Sequence, residues 1–229
     1  MPANTPDQQI TLPVSGDPNN VPLSFADAVA DIEPRLVKRY ADDADRTARN
    51  GAPTNGEASF LTAPGRFDVR AAGVWMEALP LFVRKATETQ VVNNSTTLVN
   101  DSHLLLPVQI NGVYEVSGSL YVDSGTTGDF KVGWTGPAGA TMPRWGLIGL
   151  DTGTAGAAGN LNAGVAATIG STLSRGAPGI GTFVLIRITG LLVVAGTAGN
   201  LQLQWAQNAA EAVNTRIKTD SWLRLDRVG

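Results

Sequence analysis

The only histidine of the sequence, His103, directly follows Asp101 and Ser102, and these three residue types together suggest a nucleophilic site. In such a site the hydroxyl, the imidazole and the carboxylate must meet in space. Successive residues of an extended segment point to opposite faces, so three neighbours on one strand do not achieve that approach. We therefore interpret His103 as a structural residue and predict no catalytic residue here.

Three closely spaced acids, Asp42, Asp43 and Asp45, are the candidates for a cation site. Arg46 and Arg49 follow at helical spacing, which accounts for the acids as ion pairs on a solvated helix face. No loop has the ligand spacing of a calcium site. The sequence also contains no cysteine, which excludes thiolate metal sites. We predict neither a metal nor a cofactor.

The run at 176–181 is rich in glycine, but it lacks the lysine and the following helix of a phosphate-binding loop. The few acids of the C-terminal half stand singly in turns, so paired carboxylates for glycoside hydrolysis are not predicted either. Together these exclusions predict that the protein is not an enzyme.

Composition excludes two further classes of function. The 229 residues carry a net charge of −3, and the 17 basic residues are scattered, so no positive stripe predicts nucleic-acid binding. The longest apolar runs are far shorter than the roughly 20 residues that cross a bilayer, and the N-terminus does not resemble a secretory signal. We predict a protein without membrane insertion that is made in a bacterial cytoplasm.

The predicted strands and helix favour a protein that assembles into oligomers. In a predicted strand at 182–194, Val184 and Ile186 point to one face while Phe183 and Leu185 point to the other. Both faces must therefore be covered, one by the core of the protomer and the second by another layer or another copy of the chain. We assign Phe183 and Leu185 to an oligomer interface.

A second candidate interface precedes this strand. Residues 1–22 predict an extended arm, either a docking arm or a loose terminus, and residues 23–50 predict an amphipathic helix that begins at Ser24. The apolar residues of this helix are three or four apart, and we assign them to the oligomer interface: Phe25, Val29, Ile32, Leu36 and Tyr40. The alternative is that this stripe packs on the chain's own β-domain.

The remainder of the chain predicts β-structure. Residues 51–80 predict a small β-module with a core of Phe60, Phe67 and Trp75. Residues 81–229 predict about nine strands, which favours an antiparallel jelly-roll sandwich. Within it, Asn111 and Gly112 predict a hairpin, and a turn at 196–200 predicts a second one between the strands at 182–194 and 201–207. Trp205 alternates with glutamines in the latter strand, so we place it in the core. The segment 151–180 predicts mostly a long loop at an exposed tip or a subunit seam.

Several motifs carry a resemblance to one group of proteins. They are Pro137-Ala-Gly-Ala-Thr-Met-Pro-Arg-Trp145, Gly199-Asn-Leu-Gln-Leu-Gln-Trp-Ala-Gln207 and Asp220-Ser-Trp-Leu-Arg-Leu-Asp-Arg-Val228, with Ile32-Glu-Pro-Arg-Leu-Val-Lys-Arg-Tyr40 nearer the N-terminus. They resemble the minor tail and fibre proteins of phages of actinobacteria, whose C-terminal domain is a tumour-necrosis-factor-like jelly roll that assembles as a trimer.

The resemblance implies a virion structural protein, a homotrimeric tail-fibre or tail-tip component. Its N-terminal arm would contact other virion proteins, and its β-sandwich would project outward for host attachment. A head fibre or capsid decoration protein is the alternative within the same class. The alternative of another class is a carbohydrate-binding adhesin that grips host-surface glycan through exposed tryptophans, for which the candidates are Trp134, Trp145 and Trp222.

Overall fold

The structure, a computed structural model, describes residues 3–4, 11–12, 36–63, 65–152 and 160–229. The chain divides into two compact units, Met1–Leu79 and Pro80–Gly229. The protein is mainly β, with several antiparallel sheets, as the sequence predicts. Most of the predicted arm lies outside the described residues, as do Phe25, Val29 and Ile32 of the predicted helix.

The N-terminal unit is built on a small mixed sheet. Its elements in the described part of the chain are β1 (Ala3–Asn4), β2 (Thr11–Leu12), β3 (Val37–Tyr40), α1 (Asp43–Arg49), β4 (Ala58–Leu61), β5 (Arg66–Ala71) and β6 (Val74–Glu77). Strands β1 and β2 pair with each other. The other four form a sheet in the order β3-β4-β5-β6, in which β3 runs parallel to β4 and the remaining pairs are antiparallel.

The predicted long helix is wrong over residues 36–42. Val37–Tyr40 is a strand that pairs with Ala58–Leu61, which buries Tyr40 and leaves Leu36 54% exposed. Helix α1 begins only after Asp42, whose carboxylate accepts a hydrogen bond from the Asp45 amide at 2.9 Å. The spacing of the apolar residues did not reveal this strand, because its pairing with a strand some 20 residues later in the sequence outweighs the local helical periodicity.

The predicted core of the small module is divided between the two faces of its sheet. Phe60 and Phe67 are partners in register on one face, where both are half-buried. Trp75 lies on the opposite face, where the Arg46 guanidinium stacks 4.3 Å from its ring centroid. On this second face the buried residues include the charged Arg66 and Asp68 as well as Ser59 and Leu61.

The C-terminal unit is a sandwich of two antiparallel sheets. Its strands are β7 (Leu81–Arg84), β8 (Val99–Val108), β9 (Val113–Asp123), β10 (Phe130–Thr135), β11 (Thr141–Leu150), β12 (Leu161–Ala166), β13 (Leu173–Arg175), β14 (Val184–Val193), β15 (Gly199–Ala206), β16 (Arg216–Ile217) and β17 (Trp222–Arg227).

One sheet has the order β13-β10-β15-β8, and the other has the order β12-β11-β14-β9-β17-β7, with the short β16 beside β9. Apart from β11, β12 and β16, eight strands remain, and consecutive ones lie in opposite sheets except for β10 and β13, which pair with each other. Numbered along the chain, they form layers 1-8-3-6 and 2-7-4-5, the order of two interlocked Greek keys. The sandwich is therefore a jelly roll, and β11 and β12 widen one of its sheets.

An apolar core fills the space between the sheets. Trp145, Trp205, Tyr114 and Phe130 are its largest fully buried side chains. Phe130 stacks on Trp205 with ring centroids 5.9 Å apart, within the core that the two Greek keys enclose. Trp205 alternates with glutamines along β15, and its predicted position in the core is confirmed.

Two predicted hairpins are wrong, although the turns themselves form. Asn111 adopts a left-handed φ of 54°, and the Gly112 amide donates to the Gln109 carbonyl. The strands joined there, β8 and β9, nevertheless lie in opposite sheets, as do β14 and β15. Each of these turns connects one sheet to the other. Each strand has an apolar face directed at the core, and the shared interior buries the two strands in opposite sheets rather than side by side in one sheet.

The predicted long loop at 151–180 contains two strands, β12 and β13, while 153–159 lies outside the described residues. Strand β12 pairs with β11 over six residues and has no regular apolar alternation. Its Gly164 lies against Arg175, where an added Cβ would come within 2.7 Å of a guanidinium nitrogen. Small residues that suggest a loop are needed here for close packing in a strand.

Candidate interaction face on the seven-stranded sheet

The run Asp101, Ser102 and His103 does not form a catalytic group. The Ser102 hydroxyl lies 2.9 Å from His103 Nδ1, but Asp101 turns inward, away from the imidazole. Its carboxylate accepts hydrogen bonds from the backbone amides of His103 and Leu104 at 2.9 and 3.0 Å. The acid therefore does not orient the histidine ring.

Asp101 instead belongs to a buried polar cluster of the sandwich. Lys85 Nζ lies 2.6 Å from Asp101 Oδ2, and the indole nitrogen of Trp205 donates to the same oxygen at 3.1 Å. The side chains of Lys85 and Asp101 are both completely buried. The ion pair ties the chain after β7 to the interior of the opposite sheet, which is a structural role.

The acids Asp42, Asp43 and Asp45 are each engaged within the N-terminal unit. Asp42 caps α1, Asp45 accepts from Arg49 at 3.2 Å, and Asp43 accepts from both Arg46 and Arg66. Among the residues that the structure describes, no group of three or more acids or histidines is placed to hold a metal ion.

Two of the three tryptophans expected on the surface are in the core. Trp134 is 3% exposed and Trp145 is 1% exposed, and their rings meet edge to face at 6.1 Å. The expected glycan contact is wrong for both, because inward-facing strand positions bury these rings against each other. Trp222 is half-buried on the outer face of the seven-stranded sheet and stays a candidate.

Leu185, one of the predicted interface residues, lies on the outer face of this sheet. Along β14 the inward side chains Ile186 and Leu192 are fully buried, whereas Leu185 and Leu191 on the other face are 46% and 38% exposed. Phe183, just before the strand, is 55% exposed. The strand is therefore apolar on both faces, and within the protomer its outer face is left partly open.

Neighbouring strands extend this exposed surface, which we call the apolar band and define by its residues: Tyr121, Ile148, Leu161, Val165 and Leu185. Leu185 is opposite Tyr121 in β9, and Ile148 is opposite Ala163 between Leu161 and Val165 in β12. Leu161 and Val165 are 75% and 67% exposed at the edge of the sheet. The sequence indicated only Leu185, because the others depend on strand register.

Toward the opposite edge, the same face carries arginine and aromatic side chains. Here lies a group that we call the arginine–aromatic row: Phe82, Arg84, Arg187, Trp222 and Arg224. The rings of Phe82 and Trp222 stack with centroids 5.7 Å apart, and the Arg187 guanidinium lies 5.7 Å from the Trp222 ring centroid. Arg187 also donates to the Ser119 hydroxyl at 2.6 Å.

The two remaining arginines of the row are in exposed ion pairs. Arg84 contacts Asp220 and Arg224 contacts Asp226, each at 2.6 Å. The hydrogen bond to Asp226 raises the pKa of Arg224. Sequence reasoning missed Phe82 and Arg187; the signal available for Arg187 was a lone charge within an apolar strand.

A titratable group of a different kind lies where β10 begins. Asp129 is buried with a left-handed φ of 48°, and its carboxylate accepts from the Ala177 amide at 3.1 Å. Burial raises its pKa to about 6, and the nearby charges of Glu211 and Asp151 act in the same direction. This acid therefore changes its charge in a mildly acidic range.

Comparisons with known proteins give only distant likenesses. No protein-family model matches the chain, and the search of curated proteins found no match. A chain of the tripod from the baseplate of bacteriophage Tuc2009 is similar at 14% identity and a TM-score of 0.27, over 96% of this chain and 99% of that one. A chain from infectious bursal disease virus, Gt strain, is similar at 8% identity and 0.19, over 82% and 58%. Values this low do not establish a shared fold.

The described part of the chain contains no helix long and apolar enough to cross a membrane.

Proposed function

We propose that this chain is a structural protein of a phage virion, a trimeric component of a tail fibre or tail tip. The N-terminal part anchors it to neighbouring virion proteins, and the jelly roll projects outward. The resemblance of the motifs at 32–40, 137–145, 199–207 and 220–228 to tail and fibre proteins supports the virion role.

The apolar band is the observation that carries the assembly part of this proposal. Monomeric proteins rarely expose large contiguous apolar patches, and such patches mark interaction surfaces. The band includes an edge strand, β12, in which Leu161 and Val165 are mostly exposed. A second copy of the same sandwich that covers this edge would bury both the side chains and the open strand.

A projecting, multiply copied module also suits the composition of the sandwich. Only 16% of the residues in the whole chain are charged, against roughly a quarter in an average globular protein. A surface partly covered by identical neighbours needs fewer charges to stay dispersed, since interface centres are depleted in charged residues.

Antibody labelling of purified particles of the phage that carries this gene tests the virion role. We expect label at the tail tip or along tail fibres. Label on the capsid would replace the tail assignment with a head fibre or decoration protein. Particles that contain none of the chain by mass spectrometry would contradict the virion role altogether.

A further inference from the structure

The arginine–aromatic row presents an exposed apolar surface that is already ordered. Phe82 is 58% exposed, and its stacking on Trp222 holds both rings in place on the sheet. One face of a pyranose ring consists of C–H groups, and such a face packs well on aromatic rings that are apolar in the body and rigid in position. The pair therefore offers the apolar contact that a sugar ring needs.

Arg187 differs from the other arginines of the row in its partners. Arg84 and Arg224 each contact a carboxylate at 2.6 Å, whereas no carboxylate among the described residues lies within ion-pair distance of Arg187. Its side chain is exposed, and it is held by the Ser119 hydroxyl and the Trp222 ring. A positioned guanidinium with free donors is suited to a carboxylate or a phosphate, which it can bind with two parallel hydrogen bonds.

We infer that the arginine–aromatic row is a binding site for an acidic saccharide, whose ring stacks on Phe82 and Trp222 and whose carboxylate or phosphate pairs with Arg187. This inference rests on the proposed outward-facing role of the jelly roll, which would bring the site to a cell-surface polymer. Carboxylate and phosphate share the chemistry that the arginine recognises, so the test has one arm for each.

The test is calorimetric titration of the full chain with trigalacturonate, which carries carboxylates, and with glucose 6-phosphate. Maltotriose serves as the neutral sugar and inorganic phosphate as the anion without a ring. We expect binding of at least one acidic sugar, and binding at least about tenfold weaker for maltotriose and for inorganic phosphate.

Two variants assign the binding to the row. Trp222→Ala and Arg187→Gln should each weaken binding of the acidic sugar by about tenfold or more. Arg144→Gln is the matched control, because Arg144 is an exposed arginine on β11 whose hydrogen bond goes to the Pro143 carbonyl. It should leave the affinity unchanged, and circular dichroism should show all three variants folded.

Several results would overturn the inference: no binding of either acidic sugar, equal binding of maltotriose, or binding that survives both Trp222→Ala and Arg187→Gln. None of these depends on where the chain lies in a particle, although Arg187 is opposite Ile148 of the apolar band and so lies beside the proposed subunit interface. Failure of the sugar site and failure of the virion role are therefore separately visible, the first by calorimetry and the second by labelling.

Discussion

The small sheet of the N-terminal unit and the sandwich of the C-terminal unit bury different kinds of side chain. Between α1 and the small sheet, Arg46 of the helix is buried with Arg66 and Asp68 of the sheet, and hydrogen bonds of 2.5 to 2.9 Å link the three. The sandwich buries a broad apolar core around Trp145 and Trp205.

The difference concerns what each unit needs in order to fold. An apolar core tolerates small adjustments, because burial is non-directional and proportional to area. A buried charge cluster is stable only when every partner is present, since desolvation is costly and the compensating bonds are directional. The small unit should therefore depend on individual residues, whereas the sandwich should do so mainly at the fully buried ion pair of Lys85 with Asp101.

The largest expected effect is at that ion pair. Lys85→Met leaves the Asp101 carboxylate buried without its cation, and we expect the free energy of unfolding of the sandwich to fall by about 3–5 kcal/mol. Arg84→Met is the matched control, because the adjacent Arg84 pairs with an exposed Asp220 and should contribute no more than about 1 kcal/mol. Urea unfolding measures both. Equal, small losses would show that the buried pair does not matter to the core.

An intermediate effect is expected in the small unit. Arg46→Met removes a hydrogen-bond partner of Asp68 and Ser59 and the cation above Trp75, so we expect a loss of about 2–3 kcal/mol within residues 36–79. Hydrogen exchange should show faster exchange there and unchanged protection in the sandwich.

Arg49→Met is the control on the same helix. Its side chain is 62% exposed and pairs with Asp45, so it should change stability by less than about 0.5 kcal/mol. If Arg46→Met and Arg49→Met behaved alike, the charge cluster would not be what stabilises the small unit.

The smallest effect depends on pH. Unfolded Asp129 ionises near its ordinary pKa of 3.8, whereas the folded group keeps its proton up to about pH 6. The folded state then binds more protons between these values, so this residue lowers stability as the pH rises through that window. Asp129→Asn removes the titration, and its stabilising effect should grow by about 1–2 kcal/mol between pH 4 and pH 7.

Asp220→Asn controls for the backbone at Asp129. Asp220 also has a left-handed φ, 65°, but it is exposed. Any preference of asparagine for this conformation therefore changes the stability at position 220 without a contribution from burial. Its effect should not vary across the same pH range by more than a few tenths of a kcal/mol. A pH-independent effect of Asp129→Asn would contradict the raised pKa.

The sequence predicted the small β-module at 51–80 and most strands of the sandwich, but not the strand at 37–40 or the pairing of strands, for a physical reason. Alternation along β14 and β15 identified the inward and outward faces correctly at Leu185 and Trp205, because burial on one face leaves a period of two. Tyr40 was assigned to a helix because its actual partner, Leu61 in a parallel strand, is remote in sequence and leaves no local pattern.

Sheet pairing limited the interface prediction in the same way. Nothing near Asn111 shows that β8 and β9 lie in opposite sheets, and nothing near Leu161 shows that it belongs beside Ile148. Trp134 and Trp145 were placed on the surface because residue type alone does not say which face of a strand is inward. The register of the sheets gives the strand pairing, and burial gives the inward face. Neither can be read from the local sequence.

Light scattering of the full chain over a range of concentrations tests most directly whether the apolar band is a subunit interface. We predict three times the mass of one chain, independent of concentration, and a monomer for Leu185→Asp. Ile110→Asp, which places the same charge on an aliphatic residue 51% exposed in a turn, should remain a trimer. A monomeric wild type, or a Leu185→Asp variant that still forms trimers, would contradict this prediction.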